Sequence, residues 1–183
     1  MIPKKICVLG CGTLGSHISY LTVLRSLDDM ITELFIIDKD ILESKNIPYL
    51  SICEINSKFI NKPKVFTLKY LLGDINKKLC IRTRYGKEDV CLDEYYVIDC
   101  RDTSESFKTT AIKVNIDGQF GSIDTDTQDK LENKQSRYSI KNSRFYSNFL
   151  ASICVSVVFG DMQLEKGKFL VDLKKGILTP LFK

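Results

Sequence analysis

Gly10, Gly12 and Gly15 lie between an apolar run, Ile6-Cys7-Val8-Leu9, and a segment carrying Leu14, Ile18, Leu21, Leu24 and Leu27. Small residues in a strand-to-helix turn let the backbone approach an anion, and the helix start offers unpaired N–H groups. Gly10 to Ser16, with Thr13 and Leu14 inside it, therefore predicts a phosphate cradle. Asp38 closes the next apolar run, Glu33 to Ile37, and Asp40 follows it closely. A carboxylate at such a strand tip suits the two hydroxyls of a ribose. Lys64 comes after Pro63, a residue suited to a first helical turn. Its ammonium would project from a helix start, a place equally fit for a phosphate-binding cation or a solvated lysine. The last charged group is Asp99-Cys100-Arg101-Asp102, at the tip of the apolar run Tyr95 to Ile98. In parallel sheets that edge is where ligands bind, so Asp99 and Asp102 are candidates and Arg101 a partner for them. Asp102 or Thr103 also fits the N-cap of a following helix.

These residues need a scaffold of alternating strands and helices. The pattern predicts a strand over Lys4–Leu9, a helix from Leu14 to about Leu27 ended by Asp28-Asp29, and a strand over Glu33–Ile37. Pro48 keeps Ser44–Tyr49 from continuing as a regular helix. A helical pattern returns from Glu54 to about Leu72, interrupted at Asn61–Lys64. Strands follow at Leu79–Arg84 and Tyr95–Ile98, with a turn at Gly86–Asp89 between them. Ile112–Asp117 and Gln119–Ile123 read as a hairpin around Gly118. The polar stretch at about 124–144 reads as a long crossover, a mobile loop or a lid. In Phe145–Phe159 the alternation of Ile153, Val155, Val157 and Phe159 suits a strand, but its length and small residues favour a buried helix ended by Gly160. Phe169–Leu173 and Ile177–Phe182 would be terminal strands. The fold class expected is α/β: a three-layer Rossmann-like domain over residues 1–183, parallel in its first half and mixed toward the C-terminus.

Composition narrows the functions further. At 183 residues and 44% hydrophobic content the chain is sized for one core. The net charge of +4 comes from 27 basic and 23 acidic residues with no block of like sign, which gives no footing for a nucleic-acid or membrane partner. Nothing reads as a signal peptide before the first strand or as an apolar run long enough to span a bilayer. The 7 cysteines, an odd number without a Cys-x-x-Cys pair, read as reduced thiols of a cytoplasmic protein, and no zinc is expected. A single histidine, His17, leaves no scheme that pairs a nucleophile or a metal with several imidazoles, and its position suits first-turn packing. Cys11 reads as a small residue filling the glycine turn.

Four pieces occur together in order: the glycine loop, Asp38-Lys39-Asp40 with Asn46 beyond it, Lys62-Pro63-Lys64-Val65, and Val97-Ile98-Asp99-Cys100-Arg101-Asp102. In this combination the chain resembles the ThiF/MoeB adenylating enzymes, the family that includes the catalytic domain of ubiquitin-activating enzymes. The resemblance runs in detail over residues 4–103 and in outline beyond. It implies binding of ATP with Mg2+ and adenylation of a C-terminal carboxylate, on a small ubiquitin-like or sulfur-carrier protein or a peptide, with pyrophosphate released. Position by position it implies that Asp38 holds the ribose, Asn46 and Lys64 the phosphates, and Asp102 the magnesium. It also implies a homodimer or heterodimer.

The chain departs from the family at places that bear on rate. Tyr49 and Leu50 stand where the family has arginine and glutamine, and the family's catalytic cysteine and zinc pairs have no counterpart. One transition-state arginine can be worth about a thousandfold in phosphoryl transfer. Lys45 and Arg101 are the nearest substitutes. Beside the enzyme stands a second expectation, a catalytically impaired scaffold, decoy or heterodimer partner that binds nucleotide or carrier protein without turnover. An NAD-binding Rossmann protein is a weaker third, since it uses only the glycine loop and Asp38.

Overall fold

The computed structural model describes residues 3–28, 31–49, 57–86, 91–101, 111–117, 120–125, 143–165 and 167–181. The strands are β1 (Lys5–Leu9), β2 (Glu33–Asp38), β3 (Cys80–Tyr85), β4 (Tyr96–Asp99), β5 (Ala111–Asp117), β6 (Phe120–Asp124), β7 (Lys168–Asp172) and β8 (Ile177–Leu181). They form one 8-stranded sheet in the order β3-β2-β1-β4-β5-β6-β7-β8. The first five pair in parallel; β6, β7 and β8 continue antiparallel. The chain steps outward from β1 to β2 to β3, then returns past β1 to β4. This reversal leaves a crevice above the tips of β1 and β4, where open α/β sheets hold ligands.

Three helices, α1 (Thr13–Arg25), α2 (Lys64–Gly73) and α3 (Ser143–Val158), share one apolar cluster with Ile6, Val8, Leu34, Ile36, Ile98, Ile112 and Val114. Alternation along the strands turns Cys7, Leu9, Phe35 and Val97 to the opposite face, where Leu92 and Tyr95 cover them. The C-terminal ends of α1 and α3 meet, with Arg25 bonded to Asp161 at 2.9 Å and its guanidinium 5.1 Å from the Phe159 ring centre. Below α3, a Cβ on Gly121 would stand 2.8 Å from Leu150 Cδ2, so the absence of a side chain lets the helix sit directly on β6.

The long apolar segment is a helix, as its length predicted over its alternation. The helix expected from Glu54 is corrected at Ser57–Phe59, which is a single 3-10 turn, while the interruption expected at Asn61–Lys64 is present, with Asn61 at φ 66° and α2 starting after Pro63. Residues 50–56 lie outside the described residues. Of the polar stretch expected at about 124–144, only the ends are described. Asp124 ends β6, buried between its register partners Lys113 and Lys168, and α3 already begins at Ser143. Opposite charges laid across neighbouring strands stabilise such a position. Residues 126–142 and the turn at Gly118 and Gln119 fall outside the described residues, as does Phe182.

Candidate nucleotide site

The glycine turn is built by close approach. Gly10 leaves β1 at φ +88°, and its N–H donates to the Ile37 carbonyl at 2.8 Å. A Cβ on Gly15 would fall 1.8 Å from the Gly10 carbonyl oxygen, so only glycine lets α1 start against the strand end. Gly12 occupies the N-cap of α1 and no side chain caps that end. The leading N–H groups, those of Thr13 and Leu14 among them, therefore keep their donor capacity for an anion. The Thr13 carbonyl accepts from Ser16 Oγ at 2.9 Å and meets His17 Nδ1 at 2.6 Å. His17 is thus a buried packing residue of the first turns, 3% exposed.

Asp38 binds the turn to its neighbours. One carboxylate oxygen accepts the N–H of Cys11 and the other accepts the N–H of Asp40, at 2.6 Å. Asp40 in turn accepts from Lys64 Nζ at 3.1 Å, while its backbone carbonyl accepts the N–H of Lys64 at 3.0 Å. The Lys64 side chain is only 10% exposed, which removes the solvated-lysine reading. An Ile41–Pro63 bridge and a bond from Leu42 N–H to the Lys62 carbonyl hold that segment to the start of α2. Asn46 sits in the 3-10 segment Ser44–Tyr49, its side-chain carbonyl accepting the N–H of Glu43 at 2.9 Å. Lys45 pairs with Glu43 at 2.7 Å on the exposed surface.

On the other side of the turn, Asp99 is 3% exposed and surrounded by donors. Arg101 gives it a two-pronged contact, Nε to Oδ1 at 3.0 Å and Nη2 to Oδ2 at 2.9 Å, and adds its backbone N–H at 2.9 Å. The Arg101 side chain also crosses the glycine turn, with Cγ 3.1 Å from where a Gly10 Cβ would be. Lys113, register partner of Asp99 on β5, donates to Asp99 Oδ2 at 3.2 Å and to the Arg101 carbonyl at 2.8 Å. Sequence reasoning missed Lys113. A lysine between Ile112 and Val114 points away from the apolar face they share, but only the register shows that it reaches Asp99.

The structure therefore gathers Gly10, Gly12, Thr13, Leu14, Gly15, Asp38, Asp40, Lys64 and Arg101 around one sheet edge. Asp102, expected as metal ligand and catalytic residue, lies outside the described residues, as do Leu50 and Cys53. Among the described residues no group of His, Cys, Asp and Glu side chains gathers as a metal site. Cys11 is fully buried, and burial together with the Asp38 charge raises its thiol well above the ordinary range. Its burial suits packing in the turn, and a raised thiol is a poorer nucleophile because the thiolate is the reactive form. No described helix is long and apolar enough to cross a membrane.

An α/β sheet with a glycine turn at its switch point defines a Rossmann-like fold. No family model matches this sequence, and no curated protein sequence matches it either. Solved structures do. E. coli MccB, crystallised with succinimide, superposes with a TM-score of 0.70 at 13% identity, covering 97% of this chain and 63% of that one. E. coli MccB crystallised with ATP gives 0.68 at 14% identity over the same shares. PaaA gives 0.66 at 15% identity, covering 96% of this chain and 62% of that one. These neighbours are ThiF/MoeB-family adenylating enzymes, and this chain is similar to them in fold. It spans less than two thirds of their length.

Proposed function

We propose that this protein binds ATP at the glycine turn and adenylates the C-terminal carboxylate of a small carrier protein or peptide. A substrate carboxylate oxygen attacks the α-phosphorus, the bond to the β-phosphate oxygen breaks, and pyrophosphate leaves with the electron pair. Attack of one anion on another needs N–H dipoles and cations aimed at the phosphates. The observation that carries the reading is the meeting at one sheet edge of the uncapped α1 N-terminus, Lys64 and Arg101. Asp38, beside them at the tip of β2, suits the ribose. MccB has been solved with ATP and, separately, with MccA, which supports a nucleotide and a second, small substrate for this fold. Magnesium would fall to Asp102. ATP–pyrophosphate exchange in the presence of candidate carriers with free C-termini tests the proposal; no exchange with any of them, in protein that binds ATP, removes it.

One observation favours the scaffold reading. Both cations nearest the turn are already paired, Lys64 with Asp40 and Arg101 with Asp99. With Tyr49 and Leu50 at the family's arginine and glutamine positions, a nucleotide-binding partner without turnover is the second reading. It predicts ATP binding without exchange and function through a complex.

A further inference from the structure

We infer that Lys113 is a positioning residue: it is the standing counter-ion of Asp99 that lets Arg101 turn to an anion bound at the glycine turn. The inference rests on the nucleotide reading of that turn. Asp99, its side chain 5% exposed, shares two cations with unequal freedom. Lys113 is 10% exposed at the side chain, rises from within β5 and is tied a second time by the Arg101 carbonyl. Arg101 follows the end of β4, is 25% exposed and already lies across Gly10. A buried carboxylate cannot be left without a partner, so an anion that draws Arg101 away needs another cation to stay at Asp99. Lys113 meets that need without moving, 3.2 Å from Oδ2. Asp124, the register partner of Lys113 on β6, is a further buried charge beside this row among the described residues. Without Lys113, Asp99 would hold Arg101 alone and compete with the ligand for it.

Opposite effects of two substitutions test this. Lys113→Met is expected to weaken ATP binding about tenfold, the scale of one charge-assisted hydrogen bond, and to leave adenosine binding unchanged. Asp99→Asn, which removes the carboxylate charge that competes with the ligand for Arg101, is expected to bind ATP at least as tightly as the parent. The double variant Lys113→Met with Asp99→Asn is expected to recover most of the lost affinity, whereas a merely structural role for Lys113 predicts that the double variant is worse than either single one. Titration calorimetry with ATP and with adenosine, on variants whose melting shows a folded protein, reads all three. Unchanged ATP affinity in Lys113→Met overturns the inference, as does loss of affinity in Asp99→Asn, which remains decisive if Lys113→Met does not fold. A parent protein that binds no ATP removes the nucleotide reading and this inference with it; a parent that binds ATP with an indifferent Lys113 removes this inference alone.

Discussion

The carbonyl oxygen of Gly10 lies where a Cβ on Gly15 would be, 1.8 Å from it, so the strand end and the first turn of α1 touch backbone to backbone. That contact is backbone and no rotamer change relieves it. Gly15→Ala must push α1 away from β1, at about 3 kcal/mol, the upper end for overpacking. The melting temperature should fall by roughly 6–12 °C, and ATP binding should be lost because the N–H groups move with the helix. Gly12→Ala is the control: nothing lies within 4 Å of its Cβ, and its φ of −68° is open to any residue. Thermal unfolding and calorimetry of both variants separate the two positions, and equal behaviour would refute the close-packing account.

Asp38 presents both oxygens to backbone donors, the N–H of Cys11 and that of Asp40. Asp38→Asn keeps the shape but turns one acceptor into a donor, leaving an N–H facing an NH2. A cost of about 1–3 kcal/mol is expected for the group left unsatisfied. Affinity should fall for adenosine as well as for ATP, since the glycine turn and the ribose side of the crevice both depend on this carboxylate. Loss confined to ATP would place Asp38 at the phosphates instead.

Legibility followed the range over which each signal acts. The glycine turn, Asp38 and Asp99 were readable because strand tips and a strand-to-helix turn are local features, set by a few adjacent residues. Phe145–Phe159 was readable by length, since fifteen residues exceed an ordinary strand. Lys113 and Asp124 were not readable as site neighbours, because their meeting with Asp99 and Lys168 depends on the register of strands far apart in sequence. The stop at Asn61–Lys64 was readable from Pro63, but the 3-10 turn at Ser57–Phe59 was not: Asn61 takes a left-handed φ, and the N–H groups of Leu42 and Asn61 bond to the Lys62 and Leu42 carbonyls. No helical periodicity in the sequence records those tertiary bonds.

Asp102 decides between the enzyme and the scaffold. In an adenylating enzyme, Asp102→Ala should lower exchange by on the order of 10²–10³-fold, the size of removing one group that stabilises developing charge, while ATP remains bound. In a scaffold the parent shows no exchange and the variant keeps its biological effect. Mass spectrometry of nucleotide retained through purification adds the third arm: ATP or AMP agrees with either reading, and NAD with neither.

The thiols give a prediction in pH. Burial raises Cys7, Cys11 and Cys154 in the folded chain, Cys154 to about 12 from an ordinary 9.0. A thiol raised on folding binds its proton more tightly in the native state, so below pH 9 both states are protonated and stability is level. Above that, the unfolded chain ionises while the native one does not, and stability falls progressively as pH rises from 9 toward 12. Denaturant midpoints measured across this range should therefore decline, and Cys154→Ala should decline less steeply than the parent. At pH 8 a thiol reagent should modify the exposed Cys80 and Cys91 rapidly, and Cys7, Cys11 and Cys154 only as the protein unfolds. Rapid modification of Cys11 in folded protein would mean that the glycine turn opens, and would return that thiol to the candidates for chemistry.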